Sequence, residues 1–203
     1  PTLVKPQLLV WARKSAGLTL EAAAAKTKLV AEVLEAWENG DEAPSLSQLR
    51  KLGEAYKRPI AIFFLPEPPL TFDAQREFRR LAGILPGKES PELRLALRNA
   101  VFRREAALEL HRLTGDPLPH IGVQLHPGMD PEEVGKMIRL LLGISWEQQI
   151  LWSSAHEALN AWRAAIEKLG VLVFQASGVA LDEMRGTCIP DQPLPVVVLN
   201  SKD

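Results

Sequence analysis

At 203 residues the chain has room for one or two domains. Its 46% hydrophobic and 24% charged residues suit a globular protein that buries a core without staples. A formal net charge of −1 excludes a global pull toward nucleic acid, so any basic patch must be local. A single cysteine, Cys188, excludes an intrachain disulfide and a Cys-rich zinc site; with no apolar run of membrane-spanning length and no basic leader, the expectation is a cytoplasmic protein without a membrane partner.

Taken in chain order, the first 65 residues read as five short helices. Lys5 to Ser15 carries Leu8, Leu9 and Ala12 at helical spacing and stops at Gly17. Thr19 can cap a second helix from Leu20 to Lys26, where alanines 22–25 allow a neighbour to approach closely. A third runs from about Val30 to Glu38 and ends on Asn39-Gly40, a left-handed cap signal. Ser45 caps a fourth, with Leu46, Leu49 and Leu52 inward, and Pro59 opens a fifth, Ile60 to Leu65.

Pro66, Pro68 and Pro69 then make an extended linker over 66–71. Beyond it, Phe72 to Leu81 reads as helix. Ser90-Pro91-Glu92 starts a long helix to about Thr114, with Leu93, Leu97, Ala100/Val101 and Ala107/Leu108 inward. Asp130-Pro131 opens a helix ending at Gly143, and a further one spans about Ser153 to Leu169. Val171–Gln175, Glu183–Ile189 and Val196–Leu199 are strand candidates.

The stretch GLTLEAAAAKTKLVAEVLEAWENGDEAPSLSQLRKL resembles the XRE (Cro/C1-type) helix-turn-helix domain of lambda-repressor type. The resemblance implies that Val30 to Trp37 is the recognition helix, its N-terminal residues facing base edges in the major groove. The positions expected to face DNA or a partner are Val30, Ala31, Glu32, Val33 and Glu35. Base readout favours hydroxyl, amide and basic side chains, so two carboxylates and three apolar groups are a poor reading set. Arg13, Lys14, Lys26 and Lys28 are candidate phosphate contacts. Residues 1–65 hold nine Lys and Arg against seven Asp and Glu, a weak excess for a DNA-binding module. Sequence-specific DNA binding and a retained fold that docks a protein partner or a dimer mate both stay open, with docking ahead.

FRRLAG, SPELRLALRNA, EALNAWRAAIEKLGVLVFQASGV, EMRGTCIPD and PVVVLNSKD resemble the ImmA/IrrE-type zinc metallopeptidase family. That resemblance implies a zincin-like domain that cuts a repressor or antitoxin, with Val196–Leu199 as a strand preceding the active-site helix. The chemistry needs H-E-x-x-H, two zinc-binding imidazoles one helical turn apart with a water-activating glutamate. His111, His120, His126 and His156 offer no such pair, so no catalytic residue, metal ligand or cofactor is assigned within 203 residues. Zinc is expected only if the chain continues into such a helix, and an uncovered edge strand at Val196, Val197 and Val198 would favour a truncated module.

His156-Glu157-Ala158-Leu159-Asn160 approaches the motif, but Asn is a poor zinc ligand and the stretch reads as a structural helix. The arginines from 76 to 112 read as a solvated, salt-bridged helix face, tryptophans 146, 152 and 162 as core, and Cys188 as an inert thiol. The expected fold is therefore mainly α. A five-helix lambda-repressor-like domain, 1–65, precedes an α+β region, 72–203, of long helices and a sheet of about three strands forming a partial zincin-like domain. The expected function is a transcription-regulator-type protein with a partial peptidase module. The alternative is a naturally short DNA-binding regulator or antitoxin-like binding protein.

Overall fold

The computed structural model describes residues 4–69, 89–123 and 125–203; the helix expected over Phe72 to Leu81, and arginines 76, 79 and 80, lie outside them. The described residues are mainly helical and divide into two compact units. The first holds 4–69, 89–98 and Gly178–Met184, and the second holds the rest from 99 to Ser177 and Arg185–Asp203.

The first unit contains α1 (Pro6–Ser15), α2 (Leu20–Thr27), α3 (Ala31–Asn39), α4 (Leu46–Tyr56) and a 3-10 turn, Ile60–Phe64. Local chemistry sets each boundary. Pro6 needs no amide partner at the start of α1, and the Thr19 hydroxyl accepts from the Ala22 amide at 3.2 Å. Ser45 and Gln48 close a reciprocal capping box on α4. Gly40, at φ +86, ends α3 in the left-handed region that an ordinary side chain disfavours. The fifth element is a short 3-10 turn rather than the expected α-helix, with Pro59 extended before it and Leu65 extended after it.

Leu9, Ala12, Ala23, Ala24, Leu34, Trp37, Leu49, Leu52, Tyr56 and Phe63 form one core, so α1, α2, α3 and α4 all bury a face on the same centre. Leu46, expected inward, is 54% exposed. A three-residue spacing drifts around the helix, and the buried stripe is Leu49, Leu52, Gly53 and Tyr56. The Lys5 ammonium donates to the Pro66 carbonyl, fixing the start of the proline segment against α1.

α5 (Pro91–Thr114) begins as expected and buries Leu93 and Leu97 with the first unit. In the second unit, α6 (Pro131–Leu142), α7 (Trp146–Ile150) and α8 (Ala155–Lys168) precede β1 (Leu172–Ala176), β2 (Gly186–Ile189) and β3 (Val196–Asn200). α8 packs on β1 and on α6. The sheet order is β1-β3-β2, with β3 parallel to β1 from Leu172↔Val196 to Ala176↔Asn200 and antiparallel to β2.

That order corrects the expectation of an uncovered edge. β3 is the central strand, with Val196 and Val198 buried and Val197 half-buried, because strands occupy both of its edges. Two further expectations give way. Trp146 is 65% exposed, at the first position of a five-residue helix held by the Ser145–Gln148 capping box rather than by burial. Trp152 and Trp162 instead meet edge-on, centroids 6.1 Å apart. The arginines of α5 are not uniformly solvated: Arg104 is 8% exposed and donates to the carbonyls of Leu194, Pro193 and Asp191.

Candidate nucleic-acid interface

α2 and α3 make the helix-turn-helix. Lys28 ends α2 in the left-handed conformation at φ 56, and the Leu29 amide donates back to the Ala24 carbonyl at 3.1 Å. Val30 then stands extended before the first turn of α3. Ala23 and Ala24 let the two helices approach, and Leu34 with Trp37 fixes which side of α3 faces inward. Burying those two positions turns the remaining face outward.

On that outward face the five expected residues separate. Val30 is 61% exposed, and Glu32 and Glu35 are exposed. Ala31 and Val33 are half-buried against the core and offer little to a ligand. Two further exposed carboxylates that sequence reading missed follow α3 directly. Asp41 and Glu42 both give their amides to the Ala36 carbonyl after Gly40, and both side chains are exposed. The D-E pair following Asn39-Gly40 was the available signal. α3 has no basic residue in its last turn.

The expected phosphate contacts separate as well. Arg13 is engaged internally: its Nε and Nη2 each donate to a Glu38 oxygen at 2.7 Å, and its Nη1 donates to the Leu18 carbonyl at 3.0 Å. Both side chains are nearly enclosed, and the bond to Glu38 holds the guanidinium above its ordinary pKa against the opposing effect of burial. The pair joins α1 to α3, so Arg13 drops out of the phosphate-binding set. Lys14, Lys26 and Lys28 are exposed, with Lys26 3.4 Å from Glu92.

No zinc site assembles among the described residues, where no three His, Cys, Asp or Glu side chains converge. Glu157 of the near-motif accepts from the Ser153 amide at 2.8 Å and the Ser153 hydroxyl at 2.7 Å, which lowers its pKa and ties down the start of α8. His156 and Asn160 are exposed. The donors among the described residues do not fit a catalytic zinc ion.

Among the described residues no helix is long and apolar enough to cross a membrane. No curated protein and no solved structure matches the chain. Residues 9–63 match the family model described as Helix-turn-helix, in register with α1 to the 3-10 turn, and so carry an XRE-type module of the DNA-binding, transcription-regulator kind.

Proposed function

We propose that this protein is a two-module regulator in which α3 engages a basic protein surface rather than reading base edges. The observation that carries the reading is the exposed carboxylate series Glu32, Glu35, Asp41 and Glu42, on α3 and the turn after it. Each carboxylate brought to about 4 Å from a DNA phosphate costs roughly 1 kcal/mol even in bulk water. Of the candidate phosphate contacts, Lys14, Lys26 and Lys28 stay exposed once Arg13 is committed to Glu38, three cations against four exposed carboxylates. The same carboxylates present a phosphate-like row of charge to a protein. A repressor or antitoxin with a basic DNA-binding surface is the partner class that this row would attract.

The resemblance of residues 72–203 to an ImmA/IrrE-like module is part of this proposal, on the strength of sequence blocks that fall in α5, α8 and the three strands. A module of that kind with an H-E-x-x-H helix would cleave the repressor or antitoxin partner. Residues 1–203 lack the H-E-x-x-H pair, so the reading assigns them recognition and no zinc chemistry.

A second reading is favoured by the helix-turn-helix match itself. Glutamates at a recognition helix can accept from the exocyclic amine of cytosine, and Glu32 and Glu35 are free to do so. Selection from a random duplex library with the full chain separates the two. The proposal expects no enriched sequence and only salt-sensitive background binding. An enriched motif with cytosines, lost in Glu32→Ala or Glu35→Ala, would establish base readout instead.

A further inference from the structure

Four lysines of the first unit, none of them on α3, line one pocket. Lys28 and Lys57 end α2 and α4, and both adopt the left-handed conformation, at φ 56 and φ 52, where Gly or Asn is the usual occupant. Both line one cavity of about 370 Å³ together with Lys26 and Lys51, facing Glu54 and Glu92. That volume lies at the small end of ligand pockets.

Two ordinary explanations account for part of this. A lysine at a helix C-terminus is favoured by the helix dipole, which covers Lys28 and Lys57. Glu92 holds Lys26 at 3.4 Å and Lys57 at 3.6 Å, which covers Lys26 and again Lys57. Lys51 lies within α4 rather than at its end, and neither it nor Lys28 has a carboxylate within ion-pair distance among the described residues.

Four ammonium groups against two carboxylates, less about half a negative charge from each helix end, leave roughly one positive charge in the cavity. Displacing Glu92 would leave roughly two. Burial opposes the Glu92 carboxylate. Its own backbone amide, then Lys26 and Lys57, outweigh that and keep its pKa below the ordinary carboxylate range.

We propose that this pocket binds a small phosphate-bearing anion, held by Lys28 and Lys51 and competing with Glu92 for Lys26 and Lys57. The pocket and the α3 carboxylates share no residue, so pyrophosphate binding can be lost without any change in how α3 engages a partner.

The test is calorimetric titration of the full chain with inorganic pyrophosphate at low salt. The expected result is a saturable site that weakens at least about tenfold in Lys28→Asn/Lys51→Gln, since charge-assisted contacts are lost. Asn keeps the left-handed backbone at 28, and Lys51→Gln alone decides if circular dichroism shows the double variant misfolded. Glu92→Gln should tighten binding about three- to fivefold by removing the competitor. Non-saturable heats, or equal binding by the lysine variants, would overturn the site. Weaker binding in Glu92→Gln would do the same. Binding of a random duplex with none of pyrophosphate would assign the lysines to a nucleic-acid backbone and overturn the small-anion claim.

Discussion

Two adjacent arginines on α5 behave oppositely, and replacing each by Met separates the energetics of burial from those of charge. Arg103 is exposed and stacks 5.2 Å from the Phe174 ring centroid. Arg104 is 8% exposed, its Nε 3.0 Å from the Leu194 carbonyl and its Nη2 2.9 Å from the Pro193 and 3.3 Å from the Asp191 carbonyls. Those carbonyls precede β3, the central strand, so one guanidinium fixes the segment that feeds the sheet.

Arg104→Met keeps most of the volume and removes every donor. Two well-formed charge-assisted bonds at about 1.5 kcal/mol each give roughly 3 kcal/mol, the longer third adding less. Exchanging a desolvated cation for an apolar chain returns some of this, as replaced buried ion pairs do. Apart from the exposed Glu105 carboxylate at 3.1 Å, the partners are backbone carbonyls that no substitution can remove, so a net loss of about 2–4 kcal/mol is expected. Arg103→Met should cost no more than about 1 kcal/mol. With two compact units a single unfolding transition is not assumed. Hydrogen exchange at the Val196 and Val198 amides, alongside urea unfolding, is therefore the readout. Arg104→Met within about 0.5 kcal/mol of Arg103→Met would refute the claim that the carbonyl bonds outweigh desolvation.

Gly53→Ala should destabilise the first unit by about 1–3 kcal/mol although Ala is the better helix former, because its Cβ would lie 2.8 Å from the Arg58 carbonyl oxygen; a raised melting temperature would contradict this. Burial first, and the Glu38 charge second, push the Tyr56 phenol well above its ordinary value. The unfolded chain then releases that proton first, so this contribution to stability is intact below about pH 10 and is lost as pH rises beyond it. Tyr56 is the only tyrosine, and ultraviolet titration should show no phenolate until unfolding; ionisation near pH 10 in folded protein would be the contrary result. Glu32→Lys/Glu35→Lys should raise affinity for random duplex and steepen the log–log salt dependence by about two, checked by anisotropy across salt concentrations; an unchanged slope would place α3 away from the phosphates.

Much of this fold was legible because its signals are local. Thr19, Ser45, Ser90 and Asp130 mark helix starts through one hydroxyl or carboxylate, and Gly40, Gly115 and Gly143 mark ends through a left-handed backbone. The same signal at Ser145 and Gln148 identified α7 and went unread. Less legible was which polar groups would be consumed internally. Arg13 and Lys14 are neighbours in sequence, yet only Arg13 reaches Glu38, twenty-five residues away. The exposed carboxylates of α3 were visible at Glu32 and Glu35, whereas the exposure of Asp41 and Glu42 depended on how the chain turns after Gly40.

By itself the sequence determined the starts or ends of most helices, through caps at Thr19, Ser45, Ser90 and Asp130 and glycines 40, 115 and 143, and that 203 residues hold no histidine pair for zinc; these follow from spacing and side-chain chemistry. Tertiary structure decided that β3 is central rather than an edge, that Arg104 is enclosed while Arg103 is not, and that four lysines from α2, α4 and their ends share one cavity. The physical reason is common to all three. Strand order, burial of a charge and convergence of like charges depend on segments distant in the chain meeting in space, and only the packed core fixes those meetings.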